Sequence, residues 1–180
     1  MVSGFEAAVE RHQRKVYTFA RYYLGNPEEA EDVTQEVLVR MWRQWRKLDA
    51  ERLGPWLLRV TRNACYDLLR RRRSAAKLVV PEPEVEGLEQ AAVETAAAGD
   101  PDPQARAEAA DFRRHLRSAL GELGEPMKSI VILREIQGFK YREISDALDL
   151  PLNTVRVYLH RGRRRLRERL REVYGHAATA

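Results

Sequence analysis

The sequence is poor in cysteine, in long apolar runs and in the alternating pattern of β-strands. Its 180 residues include a single cysteine, Cys65, so no disulfide framework exists and a reducing compartment is expected. No apolar run approaches the roughly 18 residues that a membrane span requires. The N-terminus also lacks the basic-then-apolar pattern of a secretory signal. These absences predict a cytoplasmic protein without membrane insertion.

Charge, in contrast, is abundant and segregated along the chain. Charged residues make up 33% of it and bases exceed acids by five, which favours an anionic partner such as nucleic acid or an acidic membrane surface. Residues 70–73 are all arginine, and seven more arginines fall within residues 161–171. Between these runs, residues 81–111 hold nine acids, one base and four prolines. This pattern predicts two basic modules joined by a flexible acidic linker.

Helical patterns dominate both modules, so the predicted fold is all-α, with two small helical domains. The first domain is a helical bundle, and the second contains a helix-turn-helix. The predicted boundaries are residues 1–75 for the first domain, 76–110 for the acidic linker, 111–175 for the second domain and 176–180 for a tail.

Local signals predict where several helices begin. Asn26 is a favourable N-cap and Pro27 suits the first helical position, so the second helix should start there. Asp111 is predicted to open the first helix of the second domain. Pro151 cannot continue the helix before it, and Asn153 or Thr154 is predicted to cap the last helix.

The second helix carries an acidic and amide patch away from its apolar stripe. Asp32, Gln35 and Glu36 form this patch on an otherwise basic protein. One interpretation is an ordinary solvated face. The other is a docking surface for a basic partner helix, because opposite charges steer and orient association.

The third helix carries a basic flank whose members recur every three or four residues. Arginines beside an aromatic ring and an amide suit single-stranded nucleic acid, since guanidiniums bind phosphates, the ring stacks on a base and the amide pairs with a base edge. The alternative is an amphipathic helix with a polar outside and a buried Tyr66. The flank consists of Arg59, Arg62, Asn63, Tyr66, Arg70 and Arg73.

Residues 153–170 contain seven arginines and no lysine, and they follow a short helix and a proline turn. Short helix, turn and longer helix are the parts of a helix-turn-helix, whose second helix enters the major groove. Arginine there pairs with guanine, and an apolar side chain contacts a thymine methyl. The alternative is an exposed helix whose arginines pair with Glu168 and Glu172. The predicted DNA-contacting residues are Asn153, Thr154, Arg156, Val157, His160, Arg161 and Arg164.

No arrangement typical of an enzyme is visible in the sequence. It shows neither clustered carboxylates for metal ions nor a nucleophile–base pair, and His160 lies outside any metal-ligand spacing. We therefore predict no catalytic residue, no metal, no cofactor and no small-molecule substrate.

Three segments, taken together and in order, resemble the bacterial RNA polymerase sigma factors of the extracytoplasmic-function group, within the sigma-70 family. NPEEAEDVTQEVLVRMW resembles regions 2.1–2.2 of that family, and WLLRVTRNACYDLLRRRR resembles regions 2.3–2.4. YREISDALDLPLNTVRVYLHRGRRRLRERL resembles region 4.2. A single helix-turn-helix is a weak signal, whereas three co-linear matches are a strong one.

The resemblance implies a role for each surface. Asp32, Gln35 and Glu36 match the motif that docks on the β′ clamp helices of core RNA polymerase, and the second domain would contact the β flap. The third helix matches the element that engages the −10 promoter element, with Asn63 in the asparagine position of the motif. Residues 153–164 match the helix that contacts the −35 element. Residues 47–54 correspond to the pocket for a flipped promoter base. An anti-sigma factor is a further partner in many members.

The sequence departs from the family pattern at a few positions. Asp149 lies at a turn position that is often glycine, although aspartate tolerates left-handed backbone better than most residues. Val157 is apolar where many members are polar. A free-standing helix-turn-helix repressor or activator, dimerised through the first domain, is the alternative function, and it predicts a symmetric DNA site bound without polymerase.

Overall fold

The N-terminal module is a three-helix bundle, as the apolar periodicity predicts. The computed structural model describes residues 2–49, 52–76 and 103–175. Its first three helices pack on one another, with Phe19, Val33, Val37 and Met41 fully buried among them. These helices are α1 (Val2–Leu24), α2 (Pro27–Gln44, followed by a 3-10 turn at Trp45–Lys47) and α3 (Leu53–Ala76).

The predicted N-cap of α2 is confirmed. The Asn26 side-chain oxygen accepts hydrogen bonds from the backbone N–H groups of Glu28 at 2.8 Å and Glu29 at 3.2 Å. Pro27 occupies the first helical position, where its missing N–H is not needed. This cap fixes where α2, and therefore its acidic patch, begins.

Replacing Asn26 by alanine is expected to lower the free energy of unfolding by about 1 kcal/mol, because two backbone donors lose their acceptor. Asn26→Asp is the matched control, since a carboxylate accepts the same bonds and suits the positive end of the helix dipole. Urea unfolding followed by circular dichroism measures both. Equal losses in the two variants would contradict a capping role.

The C-terminal module packs four helices, and its buried apolar side chains belong to one cluster with those of the N-terminal module. Ile130, Ile132, Leu133 and Ile144 are fully buried there, together with Leu159 from the last helix. The helices are α4 (Pro103–Gly121), α5 (Met127–Val131, continuing as a π-helical segment over Ile132–Ile136), α6 (Tyr141–Leu148) and α7 (Leu152–Gly175). No strand occurs in the described ranges, in agreement with the all-α prediction.

Two predicted helix starts are wrong. Helix α4 begins at Pro103 instead of Asp111, so residues 103–110 of the predicted linker are helical. Alanine-rich sequence has high helix propensity, and proline fits a first helical turn, although neither produces an apolar stripe. Helix α7 begins at Leu152, so Asn153 and Thr154 lie within its first turn and do not cap it. The rest of the predicted linker, residues 77–102, and the tail, residues 176–180, lie outside the described residues.

The turn between α6 and α7 has the backbone geometry that its sequence position predicts. Asp149 has φ +54° and ψ +47°, in the left-handed region. The Leu150 N–H donates to the Ser145 carbonyl, and the Ser145 hydroxyl donates to the Leu150 carbonyl. The turn thus reverses the chain so that α7 crosses α6 as the second helix of a helix-turn-helix.

The two modules contact each other. Helix α3 packs against α6, and α1 packs against α4 and the π-helical segment. The Gln137 side-chain N–H donates to the Lys15 carbonyl at 2.6 Å, and the Lys15 ammonium lies 5.4 Å from the centre of the Phe139 ring. The contact between the modules was not predicted from the sequence, because the apolar stripes of the helices could all be assigned to packing within each module.

None of the helices in the described ranges combines the length and apolar character needed to cross a lipid bilayer.

Candidate functional site

The acidic patch of α2 faces solvent. Asp32, Gln35 and Glu36 are all exposed or half-exposed, while Val33 and Val37 on the opposite side of the helix are buried. Glu36 forms an ion pair with Arg40 one turn later, and both side chains remain largely accessible. We call Asp32, Gln35 and Glu36 the α2 patch. It is a solvent-exposed surface with net negative charge.

Two large apolar side chains extend the α2 patch, and sequence reasoning missed them. Val39 is 46% exposed and Trp42 is 66% exposed, the highest value among the large apolar residues of the described chain. Both follow the patch at intervals of three or four residues, and this spacing was the available signal. An exposed apolar surface beside charged groups is typical of a protein-binding site.

The basic flank of α3 is mostly solvent-accessible. Arg59, Asn63, Arg70 and Arg73 are accessible, and Tyr66 is 47% exposed. The alternative prediction of a buried Tyr66 is therefore wrong. We call these residues, together with Arg62, the α3 flank.

Two arginines of the α3 flank bond to the C-terminal module. The Arg62 Nε lies 3.2 Å from the Glu125 Oε2, and both side chains are mostly buried. Arg59 donates to the carbonyl oxygens of Ala147 at 3.4 Å and Asp146 at 3.3 Å, at the C-terminal end of α6. The structure thus separates Arg59 and Arg62, which face the other module, from the four remaining members of the flank.

A buried polar cluster surrounds Glu125. The Ser129 hydroxyl donates to the Glu125 carboxylate, at 2.8 and 2.9 Å from its two oxygens. The Lys128 ammonium lies 4.6 Å from the centre of the Tyr23 ring. Burial lowers the pKa of Lys128 from its ordinary value, while Glu125 acts in the opposite direction. Burial also raises the pKa of Tyr23, and Glu125 adds to that effect. The cluster joins α1 and α3 to the start of α5.

The predicted DNA-contacting face of α7 is exposed. Val155, Leu159 and Leu166 are buried against the module core. Six of the seven predicted residues on the outer face are exposed, and Thr154 is half-buried. We call these seven residues the α7 face: Asn153, Thr154, Arg156, Val157, His160, Arg161 and Arg164.

Glycine at position 162 sets how closely α7 approaches α5. Gly162 is buried, and a Cβ atom placed there would lie 2.5 Å from the Val131 Cγ2 and 3.0 Å from the Met127 Cγ. Only a residue without a side chain permits this approach. The close packing fixes the angle at which α7 presents its outer face.

Several later arginines of α7 form ion pairs within the module. Arg163 pairs with Glu135 at 2.8 Å and Arg169 pairs with Glu122 at 2.8 Å. Arg164, a member of the α7 face, pairs with Glu168 at 3.2 Å, with both side chains highly exposed. Such exposed pairs contribute little to stability. The alternative prediction for α7, an exposed helix whose arginines pair with acidic side chains, therefore holds for part of its C-terminal half.

No group of three or more His, Cys, Asp and Glu side chains in the described ranges is placed to hold a metal ion. Residues 50 and 51, within the segment 47–54 that the resemblance relates to a base pocket, lie outside the described residues.

Two segments of the chain match known protein families. Residues 8–75 match the family described as Sigma-70 region 2, and residues 113–166 match Sigma-70, region 4. The first segment contains the α2 patch and the α3 flank, and the second contains the α7 face.

Whole-chain relatives carry related descriptions. The ECF RNA polymerase sigma factor SigE of Mycolicibacterium smegmatis is 32% identical over 167 residues, which cover 93% of this chain and 62% of the relative. The ECF RNA polymerase sigma factor SigW of Bacillus subtilis is 27% identical over 172 residues, covering 94% of this chain and 90% of that protein. The chain thus spans less than two thirds of the mycobacterial relative.

Solved structures share the fold. The sigma factor RpoE of Bartonella quintana, in complex with the anti-sigma factor NepR, has a TM-score of 0.69 at 22% identity, covering 93% of this chain and 97% of that one. CnrH, in complex with the cytosolic domain of CnrY, has a TM-score of 0.67 at 24% identity, covering 94% and 89%. With both sigma-70 regions present in order and relatives of the same type along nearly the whole chain, the chain belongs to the sigma-70 family of RNA polymerase sigma factors, in its extracytoplasmic-function group.

Proposed function

We propose that this protein binds core RNA polymerase in the cytoplasm and directs promoter-specific transcription initiation, with no catalytic activity of its own. The observation that carries the proposal is the co-occurrence of the α2 patch, the α3 flank and the α7 face on regions 2 and 4 of one sigma-type chain. Residues 1–75 act as the polymerase and −10 domain, and residues 111–175 act as the −35 domain, with residues 76–110 between them and residues 176–180 as a tail.

Docking on polymerase is the role of the α2 patch. Its exposed acids suit the basic face of the β′ clamp helices, and Val39 and Trp42 supply apolar area beside them. The C-terminal module contacts the β flap. Joint docking of two weakly binding modules gives each a high effective concentration near promoter DNA.

Promoter recognition is divided between the modules. The α3 flank engages the −10 element, with arginines on phosphates and with Asn63 and Tyr66 available for bases because both are accessible. The α7 face enters the major groove at the −35 element, where Arg156, Val157 and Arg161 contact base edges. Phosphate contacts supply salt-dependent affinity, and base contacts supply selection.

An anti-sigma factor is a further proposed partner. Two solved structures of similar fold are complexes, one with the anti-sigma factor NepR and one with the cytosolic domain of CnrY. The exposed side chains Trp42 and Val39, beside the α2 patch, provide a surface that such a partner could cover.

Run-off transcription with bacterial core polymerase tests the proposed function. The full chain is expected to convert core polymerase into an enzyme that initiates at selected sites in a genomic promoter library. The competing function is a free-standing repressor or activator. Failure to bind core polymerase, together with a footprint on a palindromic site without it, would favour that alternative.

Replacing Arg156 and Arg161 by alanine is expected to leave core binding intact and to reduce initiation at −35-dependent promoters about 100-fold. A good bidentate pair between arginine and guanine supplies roughly 1–3 kcal/mol of discrimination. The matched control replaces Arg167 and Arg171, which are exposed in the C-terminal half of α7. Arginines in that half reach phosphates only, so the control should weaken binding similarly for all sequences. An unchanged promoter preference in the first variant would contradict base contact by the α7 face.

A further inference from the structure

We propose that Arg21 on α1, with Arg113 and Arg117 on α4, forms a binding site for an oligophosphate group such as the phosphate chain of a nucleotide. We call these three residues the arginine cluster. None of them belongs to the α3 flank or to the α7 face, so the site is additional to the proposed promoter contacts.

The packing of α1 against α4 brings the arginine cluster together. Arg113 and Arg117 are four residues apart and therefore lie on the same face of α4. Arg21 lies in the last turn of α1, the helix against which α4 packs. All three side chains are half-buried. Two elements of different modules thus contribute to one concentration of positive charge.

No carboxylate offsets this charge within residues 2–49, 52–76 and 103–175. In these ranges neither Arg113 nor Arg117 forms an ion pair, and the acid nearest to them in the sequence, Asp111, already contacts Arg114 and His115. Arg21 donates to the Gly25 carbonyl, which is a neutral group. The described part of the chain therefore holds three guanidiniums side by side without a negative partner.

This arrangement is electrostatically unfavourable without an anion. Burial lowers the pKa of Arg117 from its ordinary value, and the positive charges of Arg21 and Arg113 act in the same direction. A base whose pKa is lowered is less stable in its charged form than it would be in water. Arginine nevertheless stays protonated at neutral pH. An anion bound in the arginine cluster relieves the repulsion, so its binding is favoured.

The chemistry of the guanidinium identifies the class of anion. Its planar array of N–H donors matches phosphate oxygens and can donate two parallel hydrogen bonds to them. An oligophosphate carries several charges and many acceptor oxygens in a compact group, so one molecule can contact all three arginines. Free nucleotides and the nucleic-acid backbone both carry phosphates. The half-burial of the arginine cluster favours the more compact source, a free oligophosphate.

Isothermal titration of the full chain with sodium tripolyphosphate, in about 0.15 M salt, tests the proposal. Arg113→Gln together with Arg117→Gln should weaken binding about 100-fold, because each lost charge-assisted pair costs about tenfold. The matched control is Arg167→Gln with Arg171→Gln, which removes the same charge at the same spacing from an exposed part of α7. The control should bind within about twofold of wild type, because distant surface charges are screened at this salt concentration.

A single variant on the other helix separates binding from folding. Arg21→Gln should weaken binding about tenfold, since it removes one of the three guanidiniums. Circular dichroism checks that each variant is folded, and if the α4 double variant unfolds, Arg21→Gln decides. Saturating tripolyphosphate should also raise the melting temperature of wild type and leave that of the α4 double variant unchanged, because a ligand stabilises only the state that binds it.

The proposal is overturned if wild type binds tripolyphosphate more weakly than about 1 mM, or if the control pair loses as much affinity as the α4 pair. A second titration, with duplex DNA of mixed sequence, distinguishes the two sources of phosphate. Unchanged DNA affinity in the α4 double variant assigns the site to free oligophosphates, and a parallel loss assigns it to the nucleic-acid backbone. No step uses polymerase, so a failure of wild type in run-off transcription would count against the proposed function alone.

Discussion

Reversing two charges of the α2 patch, by Asp32→Arg together with Glu36→Arg, is expected to weaken binding to core RNA polymerase about 100-fold. The two side chains are exposed one turn apart, so both can meet the same basic partner helix. At each position an attraction becomes a repulsion, which we expect to cost about 1.4 kcal/mol, or tenfold in affinity. Two such losses together give the weakening of about 100-fold. Competition against a labelled sigma factor for core polymerase measures it, and run-off transcripts should disappear in parallel.

The control for this experiment is the same charge reversal on another helix. Glu6 and Glu10 on α1 are also exposed and also four residues apart. Glu6→Arg with Glu10→Arg should bind core polymerase as wild type does. If both double variants bind core polymerase equally weakly, the effect is one of net charge in general. If both bind it as tightly as wild type does, the α2 patch is not part of the docking surface.

Gly162→Val is expected to destabilise the C-terminal module by about 3 kcal/mol and to lower its melting temperature by roughly 6–12 °C. The first added carbon alone would lie 2.5 Å from the Val131 Cγ2, well inside van der Waals contact. Helix α7 must then move away from α5 or strain the buried side chains. Transcription from −35-dependent promoters should also fall, because the displaced helix presents the α7 face at a different angle.

Gly162→Ala provides a graded comparison for this effect. Its clash is smaller and partly offset by about 1 kcal/mol of gained helix propensity, so a loss of about 1–2 kcal/mol is expected. Gly121→Ala is the neutral control, since a Cβ there has no neighbour within 4 Å. Thermal unfolding by circular dichroism ranks the three variants. A valine variant as stable as the Gly121→Ala protein would show that α7 is free to shift.

Much of each module could be predicted from the sequence because its determinants are local. Asn26 and Pro27 start α2 through bonds to residues two and three positions away. Asp149 adopts a left-handed backbone, which aspartate tolerates better than most residues. The buried stripe of α7, through Val155 and Leu159, follows from helical spacing alone. The exposed surfaces then follow as the opposite sides of the same helices.

The contact between the modules could not be predicted in this way. Arg62 and Glu125 are 63 positions apart, and nothing in the spacing of either one identifies the other. An arginine on a polar flank has the same sequence pattern whether it awaits DNA or already binds a carboxylate. The start of α4 was predicted wrongly for a different reason. Its first turns lack an apolar stripe, and their helical character comes from alanine.

The burial of Cys65 makes the protein a convenient object for spectroscopy. This is the one thiol of the chain, it is fully buried in α3, and burial raises its pKa well above the ordinary range. Protonated and shielded, it reacts slowly with maleimides. A cysteine introduced at an exposed position of each module would therefore take a fluorophore selectively, with no need to remove the native thiol. Energy transfer between two such dyes would report the distance between the modules in single molecules as polymerase and DNA are added.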